Sequence, residues 1–235
     1  MGKATEQVDE TIWNVYYRNV LLGYFDESKF ERREQYQPCL TAKTEFKPNL
    51  SVNYLHYNTV RKMKGNLVLR KIRSTDCKKI SQSFQEQGWD KPISQYEKYI
   101  ELQQKGERDV IIAELNQEFA GYLTIKWKSD YIPFRTQNIP EIVDFNVLKK
   151  YQRLGIGTSL MDEAEKRIKK ISEYAGIGFG IYKDYGAAQI LYINRGYKPD
   201  GNGLVKNSIP LKYGEIITVD DSVVFCLTKK LQENG

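Results

Sequence analysis

The stretch from Pro140 to Lys170, PEIVDFNVLKKYQRLGIGTSLMDEAEKRIKK, limits what this chain can fold into more than any other segment. It reads as a strand, a short turn, a glycine-bearing loop and an amphipathic helix. Along Glu141–Val147, residues Val143, Phe145 and Val147 alternate with Ile142, Asp144 and Asn146, the period of two that sends side chains to opposite faces of a strand. Further on, Leu160, Met161, Ala164, Ile168 and Ile171 fall on one helical stripe. The opposite face carries Asp162/Lys166, Glu163/Arg167 and Glu165/Lys169, each with the acid one turn ahead of the base. Gly155 and Gly157 stand where the loop enters the helix, and glycine lets backbone approach a neighbour closely. The first turn of a helix offers unpaired N–H groups and the positive end of the dipole, so this junction suits an anion, with Arg153 adding charge. No Lys-Ser or Lys-Thr follows the glycines and Leu160 stands where a dinucleotide fingerprint needs glycine, so neither nucleotide motif fits. The alternative is an ordinary strand–helix turn.

The segments around this unit set the fold class. Asn66–Arg73 reads as a first core strand, followed by cap residues Ser74, Thr75 and Asp76 and a helix with Ile80 and Phe84 on its apolar side. After Pro92, Ser94 and Glu97 have capping-box spacing, which predicts a second helix with Tyr96, Tyr99 and Ile100 on one face. Arg108–Leu115 and Phe119–Trp127 flank Asn116-Gln117-Glu118 as a hairpin. The connection Lys128–Ile139 is long and aromatic, with Ser129, Tyr131, Phe134 and Arg135, and such loops at strand ends often line sites. Gly176–Tyr182 reads as a short strand, Asp184 or Tyr185 opens a helix closed by Gly196, Tyr197–Leu204 reads as a turn, and Val223–Leu227 as a final strand. An antiparallel hairpin beside a strand–helix unit predicts an α+β fold with a mixed, mostly antiparallel central sheet flanked by helices.

Residues 1–65 are expected to form a separate N-terminal extension, and residues 66–235 the main domain. Ile12–Leu22, IWNVYYRNVLL, suits either a helix packing Trp13, Tyr16, Tyr17, Val20 and Leu21 or a strand rich in β-branched and aromatic residues. Leu50–Val60 reads as another strand, with His56 as a packed or surface histidine. The tyrosine content favours contact, either as an added layer or as an arm to a second copy in a homodimer.

Charge and cysteine usage narrow the function classes. The only histidine is His56, and Cys39, Cys77 and Cys226 are widely spaced, which offers neither a zinc ligand set nor a disulfide frame. A reducing cytoplasm is expected. No apolar run is long enough to span a membrane. The net charge of +6 suits a polyanionic cofactor, and a nucleic-acid-associated protein is the alternative that the same sign allows.

Two motifs carry a family resemblance. Gln152-Arg153-Leu154-Gly155-Ile156-Gly157 followed by Thr158-Ser159-Leu160-Met161 resembles the acetyl-coenzyme A motif of the GCN5-related N-acetyltransferase (GNAT) family. Ala188-Gln189-Ile190-Leu191-Tyr192, closing at Gly196-Tyr197, is similar to that family's second signature. The resemblance covers about Asn66 to Leu231. It implies acetyl transfer from acetyl-CoA directly to a primary amine on a small molecule or peptide, with no membrane partner. It implies coenzyme binding by Val147, Gln152, Arg153, Leu154, Gly155, Ile156, Gly157 and Thr158. The Val147 backbone would pair with the pantetheine arm where the strand splays from its neighbour beyond Lys150. Glu141, eleven residues before Gln152, has the spacing of the catalytic glutamate in histone-modifying members. Tyr192 resembles the tyrosine that protonates the departing thiolate. Asp144 is the alternative base if a bulge shifts the strand register. In the resembled fold the first helix pair covers the acceptor pocket, so Trp89, Tyr96 and Tyr99 become acceptor-binding candidates beside Tyr131, Phe134 and Arg135, the last for an acceptor carboxylate. Two positions depart from the pattern: Leu148 stands where proline is usual, and Tyr185 where asparagine is. A coenzyme-binding regulatory module without transfer is the remaining alternative.

Overall fold

The computed structural model describes residues 5–7, 10, 12–17, 20–26 and 65–231. The chain divides into two compact units, Met1–Asn58 and Thr59–Gly235. In the first, β1 (Thr5–Gln7), β2 (Ile12–Tyr17) and β3 (Val20–Asp26) form an antiparallel sheet in that order. The described residues of Ile12–Leu22 thus fall on strands rather than a helix, in keeping with their β-branched and aromatic content. The Leu50–Val60 stretch with His56 lies outside the described residues.

The second unit runs β4 (Leu67–Lys71), α1 (Asp76–Gln85), α2 (Ile93–Gln104), β5 (Arg108–Leu115), β6 (Glu118–Lys126), α3 (Ile132–Thr136), β7 (Glu141–Val147), α4 (Ile156–Lys169), β8 (Tyr174–Gly180), α5 (Gly186–Asn194), β9 (Lys198–Lys206), β10 (Ile209–Pro210) and β11 (Val223–Lys230). Its strands form one sheet in the order β10-β9-β11-β8-β7-β6-β5-β4. Every neighbouring pair is antiparallel except β7–β8. This is the mixed, mostly antiparallel sheet that the pattern of elements predicts.

Each face of the sheet has its own apolar layer. On one, α4 buries Ile156, Leu160, Met161, Ala164 and Ile168 against Ile111, Ala113, Leu123, Ile125 and Ile142, with Tyr192 of α5 beside them. On the other, Ile80, Phe84 and Tyr96 of α1 and α2 cover Val110, Ile112, Phe119 and Tyr122. Arg70 of β4 ties the helical layer down by binding both Asp76 of α1 and Glu114 of β5.

Local expectations fail where tertiary contacts override them. α4 ends at Lys169, which leaves Ile171 off the stripe and 72% exposed. The Ser94–Glu97 box does not form, because α2 already begins at Ile93 behind Pro92, without a side-chain cap. The connection Lys128–Ile139 contains the short helix α3. Tyr197–Leu204 reads as a turn, but Lys198–Lys206 is strand β9, held by pairing with β11. Strand propensity is weak beside the hydrogen bonds an adjacent strand supplies.

The β6–β7 pair positions the site. Its register shifts between Tyr122 and Thr124, so one extra residue is accommodated on β7. Asp144 takes it up with φ +50°, a left-handed conformation that aspartate tolerates better than most residues. Next to this bulge Gly121 opposes Val147, and a Cβ on Gly121 would stand 2.5 Å from the Asn146 carbonyl oxygen. Gly121→Ala is therefore expected to push β7 away and cost about 1–3 kcal/mol. Urea unfolding measures it; an unchanged midpoint would show that β7 yields freely.

Candidate active site

The bulge decides which side chains share a face. Simple alternation predicts that Asp144 points away from Glu141. In the folded chain Ile142 joins the α4-side core with Phe145 and Val147, so Glu141 takes the α1–α2 side. Asp144 lands on that same side, where Tyr122 of the opposite core lies against it. Two carboxylates of one strand thus face the same layer.

Their environments differ sharply. Asp144 Oδ1 accepts from Lys91 Nζ at 2.7 Å and Asn146 Nδ2 at 2.8 Å. Its Oδ2 accepts from Gln95 Nε2 and Tyr99 Oη at 2.8 Å each and from Tyr122 Oη at 2.5 Å. Burial alone would raise the Asp144 carboxyl, but the Lys91 charge and these hydrogen bonds outweigh it and hold the pKa below its ordinary value. A carboxylate so saturated is a poor proton acceptor. Glu141 has one side-chain donor, Ser129 Oγ at 2.6 Å. Burial raises its pKa above the ordinary glutamate value, against the opposing Ser129 hydrogen bond and Lys126 charge.

Below the carboxylates, β7 and β8 part company. Their parallel register comprises Glu141↔Gly176 and Ile142↔Ile177. Divergence therefore begins after Ile142 rather than beyond Lys150, because the bulge at Asp144 turns β7 off its neighbour. Leu148 N–H donates to Ala120 O, which makes Gly121 and Val147 a non-hydrogen-bonded antiparallel pair. The Val147 N–H and C=O accordingly face the opening between the strands, where Gln152 Nε2 reaches the carbonyl at 3.3 Å.

The glycine loop borders this opening. Gly155 caps α4 with φ +81°, and Ser159 N–H donates to its carbonyl as the first helical bond, so the preceding amides of the turn have no helical partner. A Cβ on Gly155 would meet nothing within 4 Å, so glycine is required there by conformation and the space before it is open. Gly157 has a different reason: its Cβ would press within 3.1 Å of the Phe145 ring, which seats the helix start on β7. Gln152, Arg153 and Thr158 are exposed, whereas Ile156 is core and Leu154 packs against it. The loop thus presents backbone and polar groups and turns its apolar side chains inward.

Tyr192 is buried between Phe145 of β7 and Phe179 of β8, with ring centroids 6.4 and 6.3 Å away. Burial, with Tyr185 nearby, raises its pKa well above the ordinary tyrosine value, so the hydroxyl keeps its proton. The remaining candidates separate into two groups. Trp89 stacks on Phe84 with Lys149 over its ring, Tyr96 is core beside Tyr122, and Tyr99 reaches Asp144. Tyr131 and Phe134 are buried in a different cluster with Ile139, Val205 and Cys226, where the Tyr131 hydroxyl donates to Asp200 at 2.8 Å. Arg135 is exposed on α3. Lys91, Gln95, Tyr122 and Ser129 are brought to the carboxylates from distant positions, and Arg108 acts on Glu141 through its charge without contact. Their spacing in the sequence holds no signal of this, although Ser129 does stand in the long loop that strand-end reasoning picks out.

A groove of about 1040 Å³ lies at the far end of α4, lined by Glu165, Lys166, Arg195, Lys198 and Lys229 among others. Glu165 there is already bound by Arg195 and Lys229. Among the described residues no helix is long and apolar enough to cross a membrane, and no His, Cys, Asp and Glu cluster suits a metal.

The profile described as the Acetyltransferase (GNAT) family matches residues 75–197. Among solved structures, an N-acetyltransferase from Staphylococcus aureus Mu50 is 15% identical with TM-score 0.55, covering 72% of this chain and all (100%) of its own. A Salmonella typhimurium protein solved with its cofactor acetyl-CoA is 17% identical with TM-score 0.51, covering 72% of this chain and 95% of its own. A ribosomal-protein-alanine N-acetyltransferase from Brucella melitensis is 17% identical with TM-score 0.51, covering 70% and 99%. No curated protein matches.

The raised Glu141 pKa has a consequence for stability. A group that binds its proton more tightly when folded stabilises the fold below its unfolded pKa and loses that contribution as pH rises through the folded value. Glu141→Gln keeps the size and removes the buried charge, so the variant should melt above the wild type at pH 7, with the gap closing toward pH 4. In a chain of this size each kcal/mol moves the midpoint by about 2–4 °C. Calorimetric scans at both pH values check this, and a gap that widens at low pH would contradict it.

Proposed function

The chain belongs to the GNAT family of acetyltransferases, and we propose that it moves an acetyl group from acetyl-CoA directly to a primary amine, with Glu141 as base and Tyr192 as proton donor. The observation that carries this reading is the pair of carboxylates on β7, one pushed up in pKa and the other held down. Such separation within one site distinguishes a proton acceptor from a fixed anion.

The residues of the loop and opening fit an extended, anionic ligand. Backbone amides at the start of α4, the open space before Gly155 and the exposed Arg153 suit phosphate groups. The Val147 backbone edge, which faces the opening with Gln152 on its carbonyl, suits an amide-bearing arm. When bound, acetyl-CoA would supply an acetyl group activated as a thioester. Glu141 would take the proton that the amine must lose, while Ser129 fixes the carboxylate that receives it. Tyr192, protonated throughout the accessible pH range, would hold a proton near the departing sulfur. Asp144, with its donors complete, is not the base in this reading. It holds Lys91, Gln95 and Tyr99 against the strand.

Gly155→Val would demand a strained left-handed valine and fill the open space, so acetyl-CoA affinity should fall at least about 100-fold, equivalent to some 2.7 kcal/mol. Titration calorimetry on the folded variant decides it, since unchanged affinity would remove the loop from binding.

Kinetics at saturating acetyl-CoA separate the two proposed proton carriers. Glu141→Gln should lower kcat about 10²- to 10⁴-fold and abolish the acidic limb of the pH–rate profile, which in the wild type should lie above the usual carboxylate range. Tyr192→Phe should be milder and leave that limb in place. Thiol release from a panel of amines, including a peptide with a free N-terminal alanine, provides the readout. Binding of acetyl-CoA without transfer to any amine would favour a coenzyme-binding module instead.

A further inference from the structure

The half-buried arginines of the second unit follow one pattern. Arg70 is held by Asp76 and Glu114, Arg167 by Asp109 and Glu163, and Arg195 by Asp162 and Glu165. Arg108 breaks it. It is buried, at 9% exposure, yet no carboxylate among the described residues forms an ion pair with it. Its Nη1 donates to Thr124 Oγ1 at 2.6 Å, and its guanidinium carbon stands 4.4 Å from the centre of the Tyr99 ring. Its Nε is buried with no acceptor. Burial therefore leaves the guanidinium charge with the attraction of Glu141 but no ion-pair contact, and with its Nε unpaired.

Arg108 sits in a telling place. It opposes Lys126 across β5–β6, and Lys126 opposes Glu141 across β6–β7. Directly opposed residues share a face, so the three form one row beneath the α1–α2 layer. Adjacent strands lie about 4.8 Å apart, which puts the Arg108 and Glu141 backbones about 10 Å from one another. Lys126 between them is taken by Asp130, and the Glu141 carboxylate is taken by Ser129. The row therefore offers one base and one cation that attract each other without touching, separated by the span of a small molecule.

We propose that Arg108 is the anion-recognition residue of the acceptor subsite, and that the acceptor is a small amine bearing a carboxylate a few bonds from its nitrogen, that is, a free amino acid. This rests on the reading of Glu141 as base. The Tyr99 ring fixes the plane of the guanidinium and Thr124 fixes one of its nitrogens, an arrangement preorganised for a planar carboxylate. A peptide N-terminus places its nearest backbone carboxylate at the far end of the chain and fits this row less well. Arg135, which strand-end reasoning favours for the same task, is exposed on α3 and lies in none of these contacts.

The test is a binding measurement without acetyl-CoA, so that it stands even if acetyl transfer fails. The twenty amino acids, in pools, are added to the whole protein and its melting temperature followed, with the decarboxylated twin of each hit as control, for example 2-phenylethylamine against L-phenylalanine or cadaverine against L-lysine. At least one amino acid should stabilise the wild type and bind at least about tenfold tighter than its twin by calorimetry. Arg108→Met should abolish the preference while removing an unpaired buried charge. Arg108→Lys, a second variant that keeps the charge, should retain part of it. No amino acid shift in the wild type, equal affinity for both twins, or a preference that survives Arg108→Met would overturn the proposal. Failure of acetyl-CoA to bind the wild type would instead overturn only the catalytic reading.

Discussion

The bulge at Asp144 is the constraint on which the site depends. One extra residue on β7, held at φ +50°, rotates the strand so that Phe145 and Val147 stay with the α4 core while Glu141 and Asp144 share the other face. The same bend ends the β7–β8 register after Ile142 and leaves the Val147 backbone facing the opening rather than β8. Five donors on the Asp144 side chain hold this conformation, drawn from the α1–α2 connection, α2, β6 and β7 itself. Gly121 allows the close approach that the bent strand needs.

Charge on the α1–α2 side is arranged rather than merely balanced. Lys91 and Asp144 form a closed, partly buried pair, in which the cost of desolvation offsets much of the mutual attraction. Glu141 is left with a single side-chain hydrogen bond and a raised pKa, and Arg108 with a single hydroxyl partner. A fold optimised for stability alone would neutralise both. They stand in one cross-strand row, with Tyr99 touching both Arg108 and Asp144, and the proposed acceptor subsite rests on that row. The basic surface reads differently: at the far end of α4 its lysines and Arg195 are interleaved with acidic residues and partly paired, as a solvated face.

The sequence by itself determined the elements whose signals are local. The strand Glu141–Val147, the glycine junction at Gly155 and the stripe Leu160, Met161, Ala164 and Ile168 follow from period and from the conformational freedom of glycine. The sheet class followed from a hairpin placed ahead of a strand–helix unit. The strands at Ile12–Tyr17 and Val20–Asp26 were legible only as one of two options, because aromatic and β-branched content favours strands without excluding a helix. Tertiary structure alone decided that Lys198–Lys206 is a strand, since its glycines and proline argue for a turn until β11 supplies hydrogen bonds. It also decided the faces of β7. Alternation is a rule of unbroken strands, and a single bulge inverts it for every residue beyond. Most of all it decided the company that Asp144 and Arg108 keep. Lys91, Tyr122 and Thr124 lie far from them along the chain or on other strands, and only the packing of α1 and α2 on the sheet brings a lysine to one buried charge and withholds a carboxylate from the other.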